Sequence, residues 1–277
     1  MDDPFGPGFG IASEQSLPPE PCWFPGGPQI DARPPGPGEV HLWRVDLDDP
    51  RISSEDQFWW DALNDSDRRR IEAIRHPVTR LSSLVGRGLT RRILAAMLPS
   101  APAPSALTIQ TGRFGKPACL DGPPSIEFNL SHSGSLVLLA LASQGPLGID
   151  VELLRPYTHR DGLIQRIADP EEATLFRCAP EPQRDLLVAR LWTRKEACVK
   201  ATGEGMLVSG SLDRLRVPLN EPPHPPHPTR WDGCTTPLES WTLRSLTPRP
   251  GYLAALAAPW TIEHLHARLW RFDQTRA

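Results

Sequence analysis

The sequence predicts an α+β protein, and three observations carry that reading. A helix-rich stretch from about Ser54 to Leu98 gives way to short runs with the two-residue alternation of strands. The same helix-then-strand theme starts again after Gly145-Pro146, and each strand-like run is bounded by Gly, Pro or Ser. The expected organisation is a Pro/Gly-rich N-terminal extension over residues 1–38, a first half over 39–145 and a second half over 146–277.

The extension carries Pro18-Pro19, Pro25-Gly26-Gly27-Pro28 and Pro34-Pro35-Gly36-Pro37-Gly38, shows no sustained period, and has little to bury. Trp23 and Phe24 are the residues able to pin it to the body. The alternation of Val40-His41-Leu42-Trp43-Arg44-Val45 marks the first strand. The helical region that follows is expected to break at His76-Pro77, because the residue before a proline is pushed out of helical conformation. Strands are predicted over Leu107–Gln110, Phe128–His132, Leu136–Ala142 and Leu147–Leu153. Asp169-Pro170-Glu171-Glu172 combines a capping residue, a proline and first-turn acids, so a helix should begin there. The absence of Gly and Pro from Leu191 to Thr202 predicts another helix. The proline-dense segment from Pro218 to Pro228 reads as a surface loop, and strands are expected at Ser240–Ser245 and Tyr252–Ala257.

Composition narrows the function. The net charge of −3 argues against a general nucleic-acid binder. The five cysteines are an odd number without any Cys-x-x-Cys, which suggests neither a disulfide framework nor a zinc site and fits a reducing cytoplasm. The longest apolar run, Leu136 to Ala142, is far short of the roughly 20 residues that cross a bilayer, and the start Met1-Asp2-Asp3-Pro4 lacks the basic opening of a secretory signal. A soluble protein is expected.

Charge is concentrated instead. In Gly148-Ile149-Asp150-Val151-Glu152 the strand period sends Asp150 and Glu152 to the same side. In Leu191-Trp192-Thr193-Arg194-Lys195-Glu196-Ala197-Cys198-Val199-Lys200, Trp192, Glu196 and Lys200 recur at i, i+4, i+8 on one helix face. Two strand carboxylates and one helix carboxylate would form the hard, incomplete oxygen shell that Mg²⁺ favours, with lysines nearby for phosphate. The plainer alternative is a solvated strand face and an ordinary Glu196–Lys200 helix pair worth about 0.2–0.5 kcal/mol. Eight arginines lie between Arg68 and Arg92. Of these, Arg80, Arg87 and Arg91 share one stripe of the helix after Pro77 while Leu81, Val85, Leu89 and Ile93 line another, so one face should pack and the other stay cationic.

These motifs resemble a known family. Gly148-Ile149-Asp150-Val151-Glu152 followed by Trp192-Thr193-Arg194-Lys195-Glu196-Ala197-Cys198-Val199-Lys200 is similar to the paired signature of the 4′-phosphopantetheinyl transferases, in the longer, monomeric form that primes peptide and polyketide synthases. Arg113-Phe114-Gly115-Lys116-Pro117 and Phe128-Asn129-Leu130-Ser131-His132-Ser133 resemble two further family segments, in the same order. The resemblance implies two similar α+β halves related by a pseudo-twofold axis with the active site between them. It also implies transfer of the phosphopantetheine arm of coenzyme A to a serine of an apo acyl or peptidyl carrier protein, releasing 3′,5′-ADP, by a cytoplasmic monomer. By the same resemblance Asp150, Glu152 and Glu196 are metal ligands for Mg²⁺, and Glu196 is the first candidate for the base, with His132 or water as alternatives. Lys200 is assigned to the pyrophosphate and the leaving group, and Lys195 to phosphate. Lys116, Ser131 and His132 are assigned to coenzyme A phosphates, as are Arg70, Arg75 and Arg80, for which the family pattern does not fix which arginine serves. Glu172 matches an acidic family position, which helix capping explains equally well.

Two rival readings share these residues. Another Mg²⁺-dependent phosphoryl or nucleotidyl transferase would use the same carboxylates, but the sequence has no Gly-x-x-x-x-Gly-Lys-Ser/Thr loop. An inert coenzyme A or carrier-binding module would not require Asp150, Glu152, Glu196 and Lys200 together.

Overall fold

The computed structural model describes residues 21–26, 33–100, 102–112, 115–121, 126–203, 212–219 and 227–272. Strand β1 (Phe24–Gly26) and strand β2 (Glu39–Asp46) precede four helices, α1 (Pro50–Ser54), α2 (Asp56–Asp61), α3 (Asp65–Glu72) and α4 (Pro77–Met97). The expected break at His76 is present: His76 is extended and its ring nitrogen caps the Thr79 N–H, with Pro77 opening α4. The hairpin β3 (Ile109–Thr111) and β4 (Pro117–Cys119) leads into β5 (Glu127–Ser133), β6 (Leu136–Ala142) and β7 (Gly148–Leu153). Helices α5 (Arg160–Ile167), α6 (Pro170–Cys178) and α7 (Arg184–Thr202) follow, then a short pair β8 (Leu215–Arg216) and β9 (Arg230–Trp231), and last β10 (Thr242–Leu246), β11 (Tyr252–Ala258) and β12 (His264–Trp270). The predicted cap of α6 is a full capping box: Asp169 accepts from the Glu172 N–H, and Glu172 reaches back to the Asp169 N–H. Helix α7 starts at Arg184, a full two turns before the stretch that sequence marks out. Most of the proline-dense segment between Pro218 and Pro228 lies outside the described residues, as do Arg113 and Phe114.

The strands form a five-stranded sheet ordered β1-β12-β2-β6-β5 and a three-stranded sheet ordered β10-β11-β7, besides two small hairpins. Strands β2, β6 and β5 pair antiparallel, as do β7, β11 and β10. In each set the long helical insertion follows the first strand, and the second strand of the closing hairpin takes the centre. The order is thus used twice. Two contributions cross the chain boundaries expected from sequence: β12, from the 146–277 segment, pairs parallel with β2, and β1, from the extension, pairs parallel with β12.

The two sheets face each other, each with its long helix outside. Val137, Leu139 and Leu141 of β6 point to α4, whereas Leu136, Leu138 and Ala140 meet Ile149, Val151 and Leu256 of the other sheet. On the far side Ala255 and Ala257 pack under Val188, Leu191 and Ala201 of α7. Burial on both faces is why the β6 run is continuously apolar. Helix α7 touches β7 so closely that a Cβ on Gly148 would stand 2.1 Å from the Ala197 carbonyl oxygen and 2.5 Å from the Ala201 nitrogen. Only glycine permits this approach, and it brings the Asp150 strand against the Glu196 helix. No described helix is long and apolar enough to cross a membrane.

Candidate active site

A cavity of about 800 Å³ opens where α3 and α4, the β3–β4 hairpin, β5 and the C-terminal half of α7 converge. That volume suits a ligand of nucleotide size or larger. Lys116, His132, Glu196, Lys200 and Arg70 line it, together with Phe128 and Leu130.

Strand β7 presents Asp150 and Glu152 on the side that sequence alternation assigns them. Lys200 bonds Asp150 Oδ1 through Nζ at 2.6 Å and adds longer contacts of 3.3 Å to Ser131 Oγ and the Ile149 carbonyl. It does not pair with its helix neighbour Glu196, so the ordinary helix-pair alternative does not hold. Asp150 Oδ2 and Glu196 Oε1 are buried and have no hydrogen-bond partner. All three carboxyls are pushed above their usual range. Burial is the main cause for each, and the neighbouring carboxylates add to it for Glu152 and Glu196; Lys200 opposes the shift most strongly at Asp150. Among the described residues the ligand atoms of Asp150, Glu152 and Glu196 do not come together as one metal-holding group, whereas those of Glu39, His41 and His266 do, so the three carboxylates would have to close on an ion to hold it.

Lys116 lies on the cavity wall, its Nζ 3.0 Å from Glu127 and 3.2 Å from the Ala201 carbonyl. It rests on Gly203, whose φ of +71° closes α7 in the left-handed conformation. His132 projects from β5 into the cavity, and its pKa is lowered by burial and then by the Lys200 charge. Among the arginines expected to reach the ligand, Arg70 lines the cavity, whereas Arg75 and Arg80 do not. Arg80 instead stands 5.9 Å over the Trp60 ring.

Two expectations change in the structure, those for Lys195 and for the arginine face of α4. Lys195 does not reach the cavity: its amine is fully buried, bonding Glu172 at 2.5 Å, the Ile167 carbonyl at 2.7 Å and the Leu212 carbonyl at 2.9 Å. Burial pulls this amine's pKa down and pushes the Glu172 carboxyl up, each opposed by the other's charge. Glu172 is therefore both a cap and the partner of Lys195. The cationic face of α4 is not free either. Asp67 of α3 is held by Arg87 and Arg91, each at 2.7 Å, and Arg91 is buried with further bonds to the Pro104 and Leu107 carbonyls. Ser131 is buried, and its hydroxyl is engaged by Asp150, Lys200 and the Val151 N–H. Sequence reasoning missed Gly148 and the Asp67 clamp. The i, i+4 spacing of Arg87 and Arg91 is the one sequence signal that could have suggested the clamp.

The cavity thus brings Lys116, His132, Glu196 and Lys200 to one place. The profile of the 4′-phosphopantetheinyl transferase superfamily matches residues 146–257. The chain is 32% identical to the 4′-phosphopantetheinyl transferase HetI of Nostoc sp. (strain PCC 7120) over 85% of this chain and 92% of HetI. It is 31% identical to a putative 4′-phosphopantetheinyl transferase of Synechocystis sp. over 64% of this chain and 69% of that protein. To the 4′-phosphopantetheinyl transferase Sfp of Bacillus subtilis (strain 168) it is 26% identical over 66% of this chain and 78% of Sfp. The chain belongs to the 4′-phosphopantetheinyl transferase superfamily, and it is a transferase.

Proposed function

We propose that this enzyme moves the 4′-phosphopantetheine arm of coenzyme A onto a serine of an apo acyl or peptidyl carrier protein. The serine oxygen forms the new bond to phosphorus, the pyrophosphate P–O bond breaks, and 3′,5′-ADP leaves. The observation that supports this reading is the buried, unpartnered Glu196 Oε1 beside Lys200 on the wall of a large cavity, with Lys200 bonded to Asp150.

Asp150, Glu152 and Glu196 would hold Mg²⁺, which when bound would neutralise pyrophosphate charge and polarise phosphorus. Glu196 takes the serine proton; burial raises the pKa of its carboxyl, which makes it a stronger base than an exposed carboxylate. Lys200 reaches both Asp150 and the cavity, so it can neutralise the departing phosphate. Lys116, His132 and Arg70 offer cationic or hydrogen-bonding groups to the remaining phosphates. Most of the rate enhancement then comes from alignment and electrostatics.

The repeated strand order supports two similar halves about an approximate twofold axis, with the cavity at their junction. Because one chain supplies both, we assign a monomer, and five free thiols agree with work in the cytoplasm. Intact-mass analysis of an apo carrier protein incubated with coenzyme A and Mg²⁺ tests the function. Appearance of the phosphopantetheine mass supports it; an unchanged carrier mass across acyl and peptidyl carriers would overturn it.

A further inference from the structure

Strand β12 runs parallel to β2, and the register sets His266 directly opposite His41. Alternation fixes the rest. Val40, Leu42 and Leu265 turn into the core between the two sheets, so Glu39, His41 and His266 share the other face. None of the three lines the cavity that holds Glu196 and Lys200.

His41 Nε2 stands 3.7 Å from Glu39 Oε2, and His266 Nε2 stands 3.6 Å from Glu39 Oε1. Both gaps exceed a hydrogen bond. Ligand atoms of the three side chains gather within 4.8 Å of one another, and the imidazoles meet edge to face with centroids 5.4 Å apart. His266 Nε2 is shielded from solvent and has no hydrogen-bond partner. A tetrahedral ion with ligands at about 2.0–2.2 Å keeps them roughly 3.3–3.6 Å apart, close to the glutamate-to-histidine spacings found here. Burial, then the charges of Arg33 and His266, holds the His41 pKa down to about 4, so this ring keeps its lone pair at neutral pH.

Glu39 is anchored by the Gly36 N–H at 2.8 Å. It is also gripped by exposed Arg33, whose guanidinium donates to both carboxylate oxygens, at 2.6 and 3.1 Å. An ion bridging the carboxylate to the two rings would have to take Glu39 from that arginine.

We propose that Glu39, His41 and His266 form a Zn²⁺ site that staples β12 to β2, with Arg33 as the competitor for Glu39. Two imidazole nitrogens and one carboxylate oxygen are donors that suit Zn²⁺, whereas Mg²⁺ prefers an all-oxygen shell. Water completes the coordination. The ion joins the first strand of the 39–145 segment to the last strand of the 146–277 segment. Its ligands come together only when those strands pair, so it binds the folded chain and stabilises it.

Zn²⁺ titration of the full chain by calorimetry, with Mg²⁺ saturating, tests the site together with the melting temperature. Wild type should bind Zn²⁺ and melt roughly 5–10 °C higher at free Zn²⁺ about a hundred times the dissociation constant. Removing a group that merely orients a metal ligand typically costs about 10–100-fold in affinity. Loss of a ligand in His41→Gln or His266→Gln should cost at least that and abolish most of the thermal shift. His266 is partly open to solvent and carries the test if His41→Gln does not fold. Arg33→Gln should tighten binding by about 1.5- to 5-fold, the worth of an exposed ion pair. Co²⁺ in place of Zn²⁺ should give visible d–d bands without a near-ultraviolet thiolate band, which separates this site from the five free cysteines. Carrier loading with Mg²⁺ should be the same in His266→Gln as in wild type. A wild-type chain without Zn²⁺ affinity, unchanged affinity in His266→Gln, or a thiolate band with Co²⁺ would overturn the site, and weaker binding in Arg33→Gln would overturn the competition.

Discussion

The two long helices hold their charges in opposite ways. On α4, Arg87 and Arg91 close on Asp67, and Arg91 Nη1 also donates to the Pro104 and Leu107 carbonyls. On α7, Lys195 is just as fully satisfied by Glu172 and two carbonyls, but the next residue, Glu196, keeps a buried oxygen without a partner, and Lys200 faces the cavity. Satisfied charges hold helices in place. Glu196 and Lys200, by contrast, line the cavity. Adjacent residues of one helix, Lys195 and Glu196, therefore differ: one is fully paired in the interior, the other faces the cavity.

The largest expected effect comes from breaking the unsatisfied side. Glu196→Gln keeps the shape but cannot take the serine proton, a role typically worth about 10²–10⁴ in rate. Turnover by intact mass should fall by that range at saturating Mg²⁺ and coenzyme A, and full recovery with added Mg²⁺ would reduce Glu196 to a ligand only. The same variant should gain stability without metal. The site carboxyls have folded pKa values above their unfolded ones near 4, so the protonated form is favoured by folding. Their contribution is thus lost as pH rises from the unfolded value through the raised folded one. The melting temperature of Glu196→Gln relative to wild type should accordingly climb as pH rises above the unfolded carboxyl value of about 4, and Mg²⁺ should narrow the gap. A gap that shrinks with rising pH would contradict the assigned repulsion.

Breaking the satisfied side should act on stability instead. Lys195→Met strands the Glu172 carboxylate in a dry site, and removing one member of a buried pair typically costs about 3–5 kcal/mol. Urea unfolding should show that loss, and Glu172→Gln added to it should recover part, since the amide removes the stranded charge and still accepts from a backbone N–H. Turnover per folded molecule should change far less than in Glu196→Gln. If Lys195→Met instead raised the Michaelis constant for coenzyme A without loss of stability, the amine would be a phosphate contact after all.

Much of this was legible in the sequence because local rules and tertiary environment agree. Strand alternation places Asp150 and Glu152, Asp169-Pro170 starts α6, His76-Pro77 breaks the helical region, and β6 reads as a strand from its apolar run. What was not legible depends on distant partners. The spacing of Lys195 is that of a surface lysine, and only the fold brings Glu172 and Leu212 to it. Arg91 looks solvated until α3 supplies Asp67. Strand β12 has nothing in its own neighbourhood to pair with and finds β2 across the whole chain. The signature of Gly148 is an absence, a Cβ that would collide with α7, which no periodicity registers.

A smaller effect is expected where cavity residues make contacts away from the bond being broken. Lys116→Ala and His132→Ala should raise the Michaelis constant for coenzyme A more than they lower turnover, the signature of lost ground-state binding. Steady-state kinetics at fixed carrier concentration decides this, and an unchanged constant in both variants would remove them from the phosphate site.

The smallest effect on chemistry is expected at the opposite edge of the larger sheet. Residues 1–38 read as dispensable from composition, yet Trp23 packs against the inter-sheet core with Arg44 5.2 Å over its ring, and β1 extends β12. The sheet order puts β1 at one edge and β5, which carries His132, at the other, with three strands between. Removing residues 1–26 exposes the β12 edge and uncovers Trp23's site without touching a carboxylate. Turnover per folded molecule should therefore stay close to wild type. The melting temperature should drop by a few degrees, since about 1 kcal/mol shifts it by roughly 2–4 °C in a chain of this size class. Truncation to residue 20 should spare both quantities, so that comparing the two end points isolates Trp23 and β1. A collapse of turnover in the folded shorter chain would mean that the far edge of the sheet communicates with the carboxylates through β2 and β6, and the separation of structural from chemical charge drawn from α4 and α7 would have to extend to the strands.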